Sequence, residues 1–182
     1  IDILPSLNMT YTLYEQELQT LNLRFSASQS VARPLFREKA PFSVFDFEIQ
    51  EQQTGNTDLN RTKVLNIDQR LEFFPYLAEI ISISGFYKRF TDPIEQVIIS
   101  TASNTEITWK NVDRAELFGA ELEIKKNLGF INDIWDNINF AFNATYIKSK
   151  TSIAEDELIE IRATDPDHEA TRPMFGQSPY II

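Results

Sequence analysis

The chain has 182 residues, 42% of them hydrophobic and 12% aromatic, and a formal net charge of −10; this composition belongs to an ordered protein with enough chain for one ordinary domain. It contains no cysteine and a single histidine, which excludes disulfide scaffolds, thiol catalysis and any site needing two imidazoles. The acidic balance opposes binding to nucleic acid, and no run of about 18 apolar residues exists to make a transmembrane helix.

The first element is LNMTYTL, in which Leu7, Met9, Tyr11 and Leu13 share a face opposite Asn8, Thr10 and Thr12. Alternation at a period of two marks a strand with one dry and one wet face. The connection YEQELQT leads to LNLRFSASQSVARP, apolar at every second position from Leu21 to Val31 except Gln29 and polar between, until Pro34 closes the run. Residues 34–61 do not alternate and hold five acidic against three basic residues.

Alternation returns in LNIDQRLEF, where Leu65, Ile67, Leu71 and Phe73 oppose Asn66, Asp68, Arg70 and Glu72. After PYLAE comes IISISGFYK, a less clean strand because Phe86 falls on the face of Ser82 and Ser84. A second acidic stretch, residues 91–110, precedes FGAELEIKK, with Phe118, Ala120, Leu122 and Ile124 opposite Gly119, Glu121, Glu123 and Lys125. NLGFINDIWDN then joins it to INFAFNATY, with Ile138, Phe140, Phe142, Ala144 and Tyr146 on its apolar face. The third acidic stretch, residues 151–172, contains ELIEIRA, whose pattern fits a short helix and a strand extension equally well.

These elements predict an all-β fold of antiparallel strands in one sheet system. Short connections alternate with long acidic ones, so one end of the sheet should carry tight turns and the other elaborate loops. Two architectures share the alternation. A lipocalin-like soluble barrel turns its apolar face inward, whereas an outer-membrane barrel turns it to lipid and lines a wet lumen with the polar face. Four features favour the membrane: Asn, Ser and Thr with mixed charges on the polar faces; aromatics such as Tyr11, Tyr14, Phe73, Phe74, Tyr76, Phe130 and Trp135 near the short turns; the loop asymmetry; and apolar faces free of Lys and Arg in their central portions.

Several stretches, in their order and spacing, resemble the C-terminal barrel of TonB-dependent outer-membrane receptors. They are LPSLNMTYTL; LNLRFSASQSVARPLFRE with its S-x-x-x-A-R-P element; GNTDLNRTKVLNIDQRLEFFP, similar to a G-N-x-x-L strand entry with Asn66 and Glu72 following; EIISISGFYKRFTDPIE; RAELFGAELEIKKNL; and GQSPYII. The resemblance implies that residues 1–182 form one partial transmembrane β-barrel domain, a fragment of a barrel of about 22 strands. The plug domain and the remaining strands would lie outside this chain. It implies a place in the bacterial outer membrane and active import: a scarce external ligand binds at loops and lumen, and TonB, acting through the plug, supplies the energy. Outer-membrane lipid, TonB and an external ligand-capturing lipoprotein are the partners so implied; no cofactor, resident metal, nucleic acid or enzymatic step is.

The loop residues suited to ligand contact are Phe42, Phe45 and Phe47 in APFSVFDFE and Trp109 in EITWK, since aromatic rings stack on chelates and sugars and equally pack loops together. Glu121 and Glu123 share a strand face, a spacing seen in acid–base pairs, but a lumen wall would pair them with cations or water. The DPDHE cluster of Asp165, Asp167, His168 and Glu169 offers oxygen ligands without the glycine-containing loop of a calcium site, which reads as a solvated acidic loop. Asn8, Asn60 and Asn143 begin chance N-x-T matches, two of them inside strands. The soluble binding barrel and a small eight-stranded membrane anchor remain the rival readings.

Overall fold

The computed structural model describes residues 2–48, 51–100, 105–174 and 176–182. In chain order the strands are β1 (Ser6–Gln16), β2 (Gln19–Ala32), β3 (Ser43–Asp46), β4 (Glu51–Thr54), β5 (Thr62–Phe74), β6 (Ile80–Thr91), β7 (Ile94–Ser100), β8 (Thr105–Asn111), β9 (Arg114–Asn127), β10 (Asn139–Ser152), β11 (Thr171–Arg172) and β12 (Tyr180–Ile181). Among the described residues, two α-helices, α1 (Phe36–Lys39) and α2 (Glu155–Thr164), and a short 3-10 helix (Asp133–Trp135) join them. ELIEIRA therefore falls in a helix.

The long strands build one open antiparallel sheet in the order β1-β2-β5-β6-β9-β10-β11, with β12 also on β10. Its six long members run 11 to 14 residues, each enough to cross a bilayer obliquely. The register aligns the alternating faces into rows. Tyr11, Leu23, Leu71, Ile83 and Leu122 lie side by side on one face; Asn22, Glu72, Ser82, Glu123 and Asn143 lie side by side on the other. A slip of one residue in any strand would mix the two rows, so the pattern itself holds the register.

Burial is inverted relative to a soluble protein. Ile83 is 57% exposed and Tyr11 67%, whereas Ser82 is 2% and Glu72 6% exposed. The polar face is the sheltered one, in a sheet whose edges do not meet. Phe86 sits on that polar face because its cross-strand partner is Gly119: the ring carbons lie 2.6 and 3.0 Å from where a Cβ on residue 119 would stand. The missing side chain makes room for the ring, which covers the glycine backbone.

The connections differ from expectation in two ways. YEQELQT is mostly strand, leaving Glu17 and Leu18 as a two-residue turn, with Glu17 in the left-handed region at φ 47°. The acidic stretches, expected as irregular loops, carry a second sheet in the order β3-β4-β8-β7. Strands of four to seven residues are too short to show a period, and its central junction, β4 with β8, is parallel and joins two different loops. The apolar core sits in this loop layer: Leu59, Val97, Ile107, Trp109, Val112 and Ile153 are all buried.

Candidate functional site

Two regions have the chemistry of a site, the polar face of the main sheet and a cleft in the loop layer. On the polar face the charges are linked. The Arg24 Nε lies 2.6 Å from Glu72 Oε2, the Arg70 Nε 2.8 Å from Glu72 Oε1, and the Arg70 Nη2 donates to Glu123 Oε2 at 2.6 Å. Arg70 reaches Glu123 across β6 because that strand presents only the small Ser82 and Ser84 between them. Glu121 accepts from Asn143 Nδ2 at 3.2 Å. Both members of the Glu121 and Glu123 pair are thus engaged by wall residues, an arrangement that suits a wetted wall better than acid–base chemistry.

At the short-turn end, Glu79 accepts from Lys126 Nζ at 2.9 Å and from the Asn127 backbone N–H at 3.1 Å. At the loop end, His168 Nδ1 and Asp165 Oδ2 are 3.2 Å apart, and Arg162 donates to the His168 carbonyl. No group of three acidic or imidazole ligands able to hold a metal occurs among the described residues.

The loop layer brings Phe42, Phe45, Phe47 and Trp109 to one cleft of about 450 Å3. Phe45 and Phe47 meet edge to face at 5.1 Å between ring centroids. Their exposures differ: Phe47 is 84% exposed and the other two phenylalanines about half, whereas Trp109 is 6% exposed and forms the floor. Trp109 therefore shapes the cleft more than it presents a surface. Arg37 lies over its ring at 5.6 Å, a cation–π contact that fixes the guanidinium at the cleft wall. Sequence reasoning missed Arg37, along with Asp46 and Gln53, which also line the cleft. Their types are ordinary for a loop, and no spacing signal ties them to Trp109.

The cleft is held by contacts between distant loops. Asn56 Nδ2 donates to the Trp109 carbonyl at 2.9 Å and Thr108 Oγ1 to the Thr54 carbonyl at 3.0 Å. The Asn111 side chain accepts from Asn60 N and donates to the carbonyls of Asn60 and Asp92. Gly55 lets α1 pack down: a Cβ there would stand 2.2 Å from Ala40 O and 2.9 Å from Arg37 O. On the far side, Arg172 pairs with Glu157 of α2 at 2.6 Å. Beside them, burial raises the Glu95 carboxyl above its ordinary range against the opposing pull of Arg172, and Glu157 adds to the rise.

A sheet with sheltered charges, exposed apolar rows and a structured loop layer at one end is the construction of a wall segment. The family model described as TonB dependent receptor-like, beta-barrel matches residues 2–176. The chain belongs to that family. No curated protein sequence matches it. Among solved structures it is similar to the siderophore receptor PirA from Pseudomonas aeruginosa, with 16% identity, a TM-score of 0.62, and coverage of 82% of this chain and 30% of that one. It is also similar to a mutant of the ferric enterobactin receptor PfeA from the same organism, with 16% identity, a TM-score of 0.55, and coverage of 82% of this chain and 25% of that one. The chain thus spans less than a third of the length of the solved receptors it matches, and at this identity the likeness is one of fold. As a TonB-dependent receptor barrel segment, it has open sheet edges where a whole barrel continues.

Proposed function

We propose that the chain is a wall sector of an outer-membrane active-transport receptor, which binds a scarce external ligand at its loop end and imports it with energy supplied through TonB. The observation that carries this reading is the inverted burial of the main sheet, apolar rows outward and linked charges inward. A soluble lipocalin-like barrel would shelter the apolar face instead, so that alternative is not favoured.

The dimensions support it as well. On the outward face the apolar run of β9 lies between Glu116 and Lys126, ten residues apart. At about 3.3 Å per residue and a tilt near 40° this gives a band about 25 Å tall, the height of an outer-membrane apolar belt. The plug domain, which would fill the lumen and contact TonB, and the remaining strands belong to the rest of the receptor, outside residues 1–182. The aromatic cleft of Phe42, Phe45, Phe47 and Trp109 faces the ligand in this reading, and a ferric siderophore is the class to try first, because both solved relatives are siderophore receptors. The work is binding and gating, with no cofactor and no catalytic step. An external lipoprotein that hands over ligand would meet the same loop end.

The test uses the full-length receptor in bilayers of brominated lipid, with a fluorophore placed in turn at Leu23, Arg24, Phe140 and Asn139. Quenching at Leu23 and Phe140 but not at Arg24 and Asn139 is expected; equal quenching on both faces, or none, overturns the wall assignment. TonB-dependent uptake of radioiron chelates by cells carrying the receptor then tests import, with uptake expected to fall in a Phe45→Ala, Phe47→Ala variant present at the surface in normal amount.

A further inference from the structure

The outward face changes character at its loop end. Register places Lys63 beside Thr91 and Arg114, Arg89 beside Glu116 and Lys150, and Lys148 beside Phe118. All five cations lie exposed on the apolar side of the sheet, and the rows below Lys148, from Tyr146 to Phe142, carry no charge on this face. They stand out in a chain of net charge −10. Glu116 is the carboxylate among them, and it is already engaged by the Tyr87 hydroxyl at 2.6 Å and by Arg114. No ion pair is formed by Lys63, Lys148 or Lys150 among the described residues. Nearby, Asp2 is taken up by Arg61 at 2.7 Å and approached by Arg33 at 3.9 Å.

Two cavities open on this face, one among the cations and one nearer the middle of the sheet. A cleft of about 470 Å3 is walled by Lys63, Arg89 and the paired Arg61 and Asp2, over a floor that includes Gln29, Val31 and Leu65. Below it, a groove of about 550 Å3 opens where Gly85 and Ala120 stand between the larger rows of Tyr87 and Ile83. Arg89 and Gly85 are four residues apart on β6, about 13 Å along the strand. A cationic rim of this kind, set above a trough free of charge, complements a molecule with an anionic head and a hydrocarbon tail.

We infer that this face holds a phosphate-bearing lipid of the surrounding leaflet, its headgroup on Lys63 and Arg89 and an acyl chain along Gly85 and Ala120. The inference rests on the proposed membrane orientation. Phosphate is the match because it offers several acceptor oxygens and up to two charges to separated cations, and charge at this height attracts anionic headgroups. The headgroup site and the ligand cleft lie on different surfaces, so lipid is retained without occupying the transport path.

The experiment is lipid retention by the full-length receptor, exchanged into micelles containing equal amounts of phosphatidic acid and phosphatidylcholine and read by native mass spectrometry. The receptor should retain phosphatidic acid preferentially, and the Lys63→Gln, Arg89→Gln variant should lose that preference by about tenfold. Lys88→Gln, on the sheltered face of the same strand, should keep it. Gly85→Leu should reduce retention of both lipids, since a Cβ there has open space ahead, with its nearest contact at 3.9 Å. Undiminished preference in the double variant, an equal loss in Lys88→Gln, or displacement of the lipid by inorganic phosphate would each overturn the inference. Heat-dependent gel migration checks that each variant is folded. If fluorophore quenching at Leu23 holds while phosphatidic acid is not preferred, the lipid site fails and the wall assignment stands; if quenching fails, both fall.

Discussion

The main sheet and the loop layer are built from the same chain under opposite rules. In the main sheet, Ile83 and Leu122 face out and Glu72 and Ser82 are sheltered; in the loop layer, Val97, Ile107 and Trp109 are buried in the ordinary way of a soluble protein. The boundary between the rules is the pair of adjacent rows where Lys63 and Arg114, then Arg89 and Lys150, replace apolar residues on the outward face. Composition averaged over the chain hides this, since 42% hydrophobic residues describes neither region. What separates them is the solvent each face meets.

The largest way to break the comparison is to put a charge on the outward face. Leu122→Lys should destabilise the receptor in a bilayer by about 2 to 4 kcal/mol, whereas Thr145→Lys, on the sheltered face opposite Glu121, should cost under about 1 kcal/mol. Urea unfolding in vesicles measures both, and equal costs would mean that the two faces meet the same solvent. Next, Gly55→Ala should unsettle the loop layer by about 1 to 3 kcal/mol through overpacking against the Ala40 and Arg37 backbone. In a receptor whose other tryptophans are replaced by Phe, Trp109 emission should shift to the red while the folded barrel keeps its gel mobility.

Within the main sheet, Glu72→Gln should cost about 1 to 2 kcal/mol, because Arg24 and Arg70 lose the carboxylate they share; half-exposure of Arg24 keeps the loss below that of a fully buried pair. The smallest effect concerns Glu95. Its carboxyl titrates higher in the folded loop layer than in the unfolded chain, so the stability linked to its proton is full below the unfolded value and is lost as pH rises through the folded one. Glu95→Gln should flatten that dependence and give a modest gain at neutral pH, seen as a higher midpoint for loss of Trp109 shielding; a midpoint as steep in pH as before would assign the dependence to another group.

The main sheet was legible in the sequence because its strands are long and two-faced. LNLRFSASQSVARP needs no partner to reveal its faces, and Pro34 marks its end. Even the exception at Phe86 was visible, although its reason, Gly119 across the strand pair, needed the register. The loop layer was not legible, since β3 and β4 are four residues each and the β4–β8 pairing joins segments that have no local signal for each other. The aromatic cleft fell between: its four rings could be nominated by type, but Arg37 and the buried position of Trp109 depend on how two loops meet.

That junction has a kinetic consequence. In the main sheet each pairing of long strands can begin between residues no more than 30 positions apart, the separation of Ala32 and Thr62, and extend from there. The loop layer instead depends on partners such as Thr54 and Thr108, 54 positions apart, whose encounter carries a larger closure entropy. The β5–β6 hairpin lies between them and, once formed, brings their flanking segments together at one end of the sheet. The main sheet is therefore the template, and the aromatic cleft is assembled late, on a wall that already stands.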